Sequence, residues 1–240
     1  MPFTLSSRRE TSERGGIVTK LVVLVVVFAV AAFAVYWFVI RSDAAAKPKI
    51  TETPVVEGGA VDGTWDVSQG VGEGSFVQYR VHEKFVDGLV DNEATGTSTD
   101  VTGTMKIAGT EVSDIEVTAN LAALKSDSGF RDGALKSRGL ETDKFPSASF
   151  VATNSITLPS APVKGENITV SVTGDLTLHG VTKEVTIGLE GRWDGETIQV
   201  IGELPILFSD YGITAPTAQI VASVDDNGFM ELQLVFTKAG

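Results

Sequence analysis

The sequence contains no cysteine and only two histidines among its 240 residues. Without thiols there is no disulfide framework, no thiolate zinc site and no cysteine nucleophile. His82 and His179 stand far apart, and no HExxH or comparable spacing accompanies them, so metal chemistry lacks its usual ligand set. A GxSxG nucleophile elbow is missing too. Basic residues are short in number: 19 Lys and Arg face 31 Asp and Glu, for a net charge of −12. Four of the basic ones, Arg8, Arg9, Arg14 and Lys20, precede a single apolar run, so the remainder is more acidic still. Such a domain would repel phosphate backbones, which excludes nucleic acid as a partner.

Apolar residues and glycine are plentiful. Leu21 to Ile40, LVVLVVVFAVAAFAVYWFVI, carries no charge over 20 residues. At about 1.5 Å per residue a helix of that length spans a hydrocarbon core of about 30 Å. Tyr36 and Trp37 sit where aromatic side chains favour the interface. The run predicts one transmembrane helix over residues 21–40 with a cytoplasmic N-terminus over 1–20. The domain after it is expected outside the cytoplasm, anchored in the cell membrane by a single pass. Ala44, Ala45 and Ala46 also offer a cleavage site, so removal of the helix stays open. Residues 41–62 show no lasting period and read as an exposed linker.

From residue 63 to 240 the dominant period is two. Val77, Tyr79 and Val81 alternate with Gln78, Arg80 and His82. Ile168, Val170, Val172, Leu176 and Leu178 alternate with Thr169, Ser171, Thr173, Asp175 and Thr177. Met230, Leu232, Leu234 and Phe236 alternate with Glu231, Gln233, Val235 and Thr237. One apolar face and one wet face per strand is the antiparallel pattern. About eight such strands suggest a sandwich or a closed barrel. Leu124 to Pro146 breaks the period, and a short helix is expected near Asp132 to Arg138, with Gly139 as its stop.

His179 and Gly180 interrupt the alternation of VSVTGDLTLHGVTKEVTIGLEG. Glycine tolerates the backbone angles of a tight turn, and histidine can hydrogen-bond across it, so the pair reads as a hairpin and not as a catalytic loop. A hydrolase built on Ser209, Asp210 or His179 is the weakest of the functional readings, since it needs the histidine beside an acid or hydroxyl in a cleft.

GDLTLHGVTKEVTI, FRDGALKSRGLETDKFPSASF, LFSDYGI and the ending VDDNGFMELQLVFTKA together resemble the YceI-like family of polyisoprenoid-binding proteins from bacterial envelopes. The similarity runs roughly from Gly63 to Lys238. It implies a lipocalin-like antiparallel β-barrel holding a long isoprenoid or another long-chain amphiphile. On that reading the cavity would be lined by Phe76, Tyr79, Phe150, Leu176, Leu178, Ile187, Leu189, Ile206, Phe208, Tyr211, Leu232 and Leu234. The same alternation would also serve a filled core that meets another envelope protein. A lipid phosphate would call for a cation at the barrel mouth. Arg131 is the first candidate, oriented by Asp132 unless that residue caps the helix, and Lys183 is the second. Trp65 and Trp193 are expected to seal the end of the core. The expected function is therefore a non-enzymatic, membrane-anchored lipid-binding module that needs no cofactor or metal; a homodimer stays open.

Overall fold

The computed structural model describes residues 13–35, 44–69, 74–85, 90–215 and 221–240. The chain divides into two units, Met1–Arg41 and Ser42–Gly240. In the first, helix α1 runs from Glu13 to Val35. Its run of Val, Leu, Phe and Ala contains no proline, and the side chains from Val22 to Val27 are all more than half exposed. Among the described residues no helix is long and apolar enough to cross a membrane. The transmembrane helix expected over 21–40 is therefore not shown: α1 starts well before that run and ends at Val35. Tyr36, Trp37, Ile40 and Arg41 lie outside the described residues, as do Arg8 and Arg9.

The second unit is all-β with one short helix. Its strands are β1 (Gly63–Val67), β2 (Phe76–Phe85), β3 (Val90–Ser98), β4 (Val101–Ala108), β5 (Glu111–Asn120), β6 (Lys125–Ser126), β7 (Ser147–Ala152), β8 (Ile156–Thr157), β9 (Asn167–Leu178), β10 (Val181–Trp193), β11 (Thr197–Leu207) and β12 (Val221–Lys238). Helix α2 spans Gly129–Ser137. The order β1-β4-β5-β7-β9-β10-β11-β12 closes on itself, because β12 also pairs with β1. All these pairings are antiparallel, which makes an eight-stranded barrel. β12 is long enough to serve two neighbours: its first part pairs with β2 and its last residues with β1. Register shifts between Val221 and Ser223, and between Val224 and Gly228, mark irregularities along the β2 pairing. Such irregularities increase twist and help a sheet to curl.

The hairpin β9–β10 has a two-residue connection, with Leu178 opposite Val181. His179 and Gly180 both take positive φ, 52° and 74°. A two-residue turn of that handedness matches the right-handed twist of its strands.

α2 begins earlier than the segment Asp132–Arg138 predicted from the pattern. Ser128 caps it by accepting from the Arg131 amide, which places the first turn before Asp132. Asp132 instead accepts from the Ser126 amide at 2.9 Å and from its hydroxyl at 2.7 Å.

The segment before β1 is largely exposed, as expected of a linker, but it is tied to the barrel. Residues 44–62 have no regular structure, yet they form a strap along the outer wall. The Ala45 amide donates to Thr95 Oγ1 at 2.8 Å, and Arg80 Nη2 donates to the Ala45 carbonyl at 2.7 Å. Lys47 pairs with Glu203 at 2.7 Å, the Thr51 amide donates to Gln199 Oε1 at 2.7 Å, and the Val56 amide donates to the Asp194 carbonyl at 2.7 Å. On the outer face of β2 and β12, His82 and Lys84 are exposed, but four other polar residues are not wet. Gln78, Arg80, Glu231 and Gln233 are all buried. Arg80 Nε meets Glu231 Oε1 at 2.7 Å and its Nη2 meets Oε2 at 3.1 Å, a forked pair, while Gln78 and Glu93 complete the network. Each buried charge there has a partner, as burial demands.

Candidate ligand-binding cavity

The inward side chains do not fill the barrel. They form two apolar clusters, and one cavity reaches residues of both. The first cluster holds Trp65, Met105, Ile107, Val112, Trp193, Ile198 and Phe236. The second holds Leu121, Leu124, Leu176, Leu178, Ile187, Ile206 and Tyr211. The register puts them at opposite ends: Arg192 faces Asn167 at one end of the β9–β10 hairpin, and Val181 faces Leu178 at the other. The cavity measures about 280 Å³ and its wall is overwhelmingly apolar. That is near the lower bound of about 300–1,000 Å³ typical of small-molecule sites.

Ten of the expected lining residues border this cavity: Tyr79, Phe150, Leu176, Leu178, Ile187, Leu189, Ile206, Phe208, Leu232 and Leu234. Two do not, and both require correction. Phe76 lies one position out of phase with the inward residues Val77, Tyr79 and Val81, so the pleat turns it away. Tyr211 is buried in the second cluster but lies in a 3-10 turn, Phe208–Tyr211, where strand alternation no longer applies. The reading also stopped short along strands it had identified. Ile168, Val170 and Val172 share the phase of Leu176 and Leu178 and line the cavity with them. So do Ile198 and Val200 on β11.

The tryptophan end is closed by bulk. Trp65 is 1% exposed and Trp193 8%. The Trp65 indole donates to the Val61 carbonyl at 2.7 Å. Both residues therefore seal a core end.

The helix end is closed by charge. Arg131 reaches back from α2 and lines the cavity together with Glu83 of β2. Its Nε and Nη2 donate to the two Glu83 oxygens at 3.1 and 2.9 Å, and its Nη1 donates to Asp127. The Arg131 side chain is 12% exposed and that of Glu83 9%. Burial alone would lower the guanidinium pKa, but the Glu83 carboxylate and then Asp127 more than offset this and hold it up. Arg131 is thus where the sequence reading placed a head-group cation, but its fork is already occupied. Glu83 was overlooked. Its signal was legible: it continues the inward phase of Val77, Tyr79 and Val81, and an inward carboxylate demands a cation. Lys183 does not border the cavity; it pairs with Asp210 at 2.6 Å on the outside.

Tyr79 stands between this cluster and the apolar wall. Its ring lies over Gly96, the cross-strand partner on β3, where a Cβ would fall 2.3 Å from the ring. Its hydroxyl is buried without a hydrogen-bond partner. Burial raises the phenol pKa well above its usual value, with Arg131 the leading opposing influence, so the group is a neutral hydroxyl at physiological pH.

His179 fastens three segments at the same end. Nδ1 lies 2.9 Å from the Tyr211 carbonyl, Nε2 lies 3.0 Å from Glu141 Oε2, and the ring packs 4.4 Å from that of Phe145. The carbonyl can only accept, so Nδ1 donates. The histidine does not bridge its own turn, as the sequence suggested; it ties the turn to the loops after α2 and β11. Ser209 is not among its partners, and Asp210 is taken by Lys183.

The chain belongs to the family defined by the YceI-like domain, whose model matches residues 71–236. It is 38% identical over 132 residues to a UPF0312 protein of Pseudomonas putida strain W619, covering 51% of this chain and 65% of that one. It is 36% identical over 130 residues to a UPF0312 protein of Pseudomonas syringae pv. syringae, covering 50% and 64%. The match thus spans just under two thirds of these relatives. Among solved structures, the fold is shared with a polyisoprenoid binding domain from Saccharophagus degradans implicated in plant cell wall breakdown. There the TM-score is 0.55 at 17% identity, over 73% of this chain and 98% of that one. It is shared as well with BcnA of Burkholderia cenocepacia, at TM-score 0.50 and 21% identity, over 67% and 95%.

Proposed function

We propose that this protein is a non-enzymatic binding module that holds an isoprenoid or another long-chain amphiphile inside its barrel, at the outer face of the cell membrane. The observation that carries the reading is the apolar cavity between two separated core clusters. A domain made only for structure or protein contact has no use for that space, since interiors otherwise pack to the density of organic crystals. Burial of a hydrocarbon chain there would contribute about 0.8 kcal/mol per methylene, so affinity needs no covalent chemistry. Family membership and the fold shared with a polyisoprenoid binding domain support a lipid as the occupant.

The anchored placement rests on the uncharged run from Leu21 to Ile40. Phe130, 89% exposed on the same helix as the cavity-lining Arg131 and Leu135, suits a site that works against lipid.

The test is native mass spectrometry of the full chain, produced in a host with its envelope lipids and held in nanodiscs of defined lipid. A discrete added mass, removed by organic extraction and absent from Ile206→Trp, is expected. An identical lipid complement in wild type and Ile206→Trp would refute the reading, because the variant fills the cavity without touching the annular lipid.

A further inference from the structure

We infer that the cavity selects a long-chain ligand whose head is uncharged and oxygen-bearing, with the Tyr79 hydroxyl as its hydrogen-bonding partner and Arg131 as a clasp that excludes anions. The inference rests on the cavity reading above and adds the chemistry of the head.

The first observation is the state of Arg131. Three of its five N–H donors go to Glu83 and Asp127, and a fourth lies at the limit of reach of Ser126 Oγ, 3.5 Å away. A phosphate or carboxylate that takes the forked face of Arg131 displaces Glu83 and leaves that buried carboxylate without its partner, which burial penalises heavily. Charge adds to the barrier. Glu83 and Asp127 both pair with this one guanidinium, so two carboxylates already share its charge. At this end of the cavity Arg131 and Glu83 answer one another; Arg192, whose Nε is buried without a partner, borders the cavity at the opposite end.

The second observation is the Tyr79 hydroxyl. It is buried, it belongs to a residue that borders the cavity, and it has no partner. A phenol offers one donor and one acceptor, and a buried one left unpaired is an unmet demand. An alcohol, aldehyde, ketone, ester or amide on a long chain meets that demand. A bare hydrocarbon does not, and an anion that takes the forked face of Arg131 does so at the expense of Glu83. The neutral state of the hydroxyl, held by burial, keeps both its donor and its acceptor available.

The test uses the full chain in nanodiscs, stripped of co-purified lipid, with three probes: geranylgeraniol, geranylgeranyl phosphate and the hydrocarbon phytane. Equilibrium binding is read by native mass spectrometry. The alcohol is expected to bind about ten-fold tighter than the phosphate. Tyr79→Phe should weaken the alcohol about three- to ten-fold, the net worth of one hydrogen bond, while leaving phytane within about two-fold. In the ligand-free protein Tyr79→Phe should not lower the melting temperature, because the hydroxyl lost there bonds to nothing. Glu83→Gln releases one arm of the clasp and should tighten the phosphate by roughly ten-fold. Equal binding of alcohol and phosphate, or an unchanged alcohol affinity in Tyr79→Phe, would overturn the inference while the cavity reading stood. Failure of all three probes, phytane included, would overturn both.

Discussion

At one end of the barrel, Trp65 and Trp193 pack among methionine, isoleucine and phenylalanine side chains, with Arg192 and Glu166 at the border of the cavity. At the other end, Arg131 is strung between Glu83 and Asp127, His179 ties the loops together, and Tyr79 keeps an unanswered hydroxyl. The two ends do different work because their energetics differ. Apolar contact is non-directional and grows with area, so it seals. Ion pairs near a surface contribute modestly to stability but impose strict rules on what comes near them, so they select. A ligand-binding barrel needs one of each.

The tryptophan end should therefore carry more of the stability. Trp65→Ala removes a residue 1% exposed and should cost about 3–5 kcal/mol. For a domain of this size that lowers the melting temperature by roughly 2–4 °C per kcal/mol, measurable by calorimetry. A loss below about 1 kcal/mol would erase the proposed division between the ends.

The outer wall offers a control in which charge is fully buried. Glu231→Ala leaves Arg80 with Glu93 as its remaining carboxylate beneath the strap and should cost about 3 kcal/mol in denaturant unfolding. Arg80→Met combined with Glu231→Leu should regain most of that loss, since the pair's desolvation is then removed along with its attraction.

At the helix end, Arg131→Ala should cost about 1–3 kcal/mol, since it leaves the buried Glu83 carboxylate without its partner while the more exposed Asp127 can turn to water. Arg131→Lys should recover only part of it, as an ammonium cannot reproduce the forked contact with Glu83. A cost for Arg131→Ala equal to that for Trp65→Ala would show both ends to be structural.

The smallest effect is a pH dependence at the tryptophan end. Asp194, in the turn after Trp193, is desolvated, which favours its protonated form. Hydrogen bonds from the Thr197 and Glu196 amides and the Thr197 and Thr53 hydroxyls outweigh this and lower its pKa. A carboxylate with a depressed folded-state pKa stabilises the fold above its unfolded value, and that contribution is lost as pH falls through the folded value. Asp194→Asn should thus cost about 1 kcal/mol near pH 7, and its deficit against wild type should begin to shrink as pH drops below about 4 and be lost once pH is below the folded value. A deficit that persisted unchanged in acid would mean that the lost hydrogen bonds owe nothing to charge.

Much of the barrel was legible. Alternation in β9, β10, β11 and β12 marks inward and outward residues because the pleat has a period of two, and most of the cavity wall follows from it. The phase also had the means to reject Phe76 and to flag Glu83, one position from residues already assigned. Tyr211 was not accessible in this way, since a 3-10 turn has no such phase. The strap was illegible for a different reason. Residues 44–62 carry no period, and their hydrogen bonds are made with residues dozens to more than a hundred positions away.

By itself the sequence determined what is local: the strand pattern, the hairpin turn at His179 and Gly180, the apolar character of the interior and the acidic exterior. These follow from period, backbone preference and composition, which act between near neighbours. Only the tertiary structure decided that the interior stays partly open, that polar residues on the outer face of β2 and β12, Arg80 and Glu231 among them, are buried, and that Arg131 is claimed by Glu83. Each of those depends on which distant side chains meet once the barrel closes, and on whether a charge is left with a partner or with space.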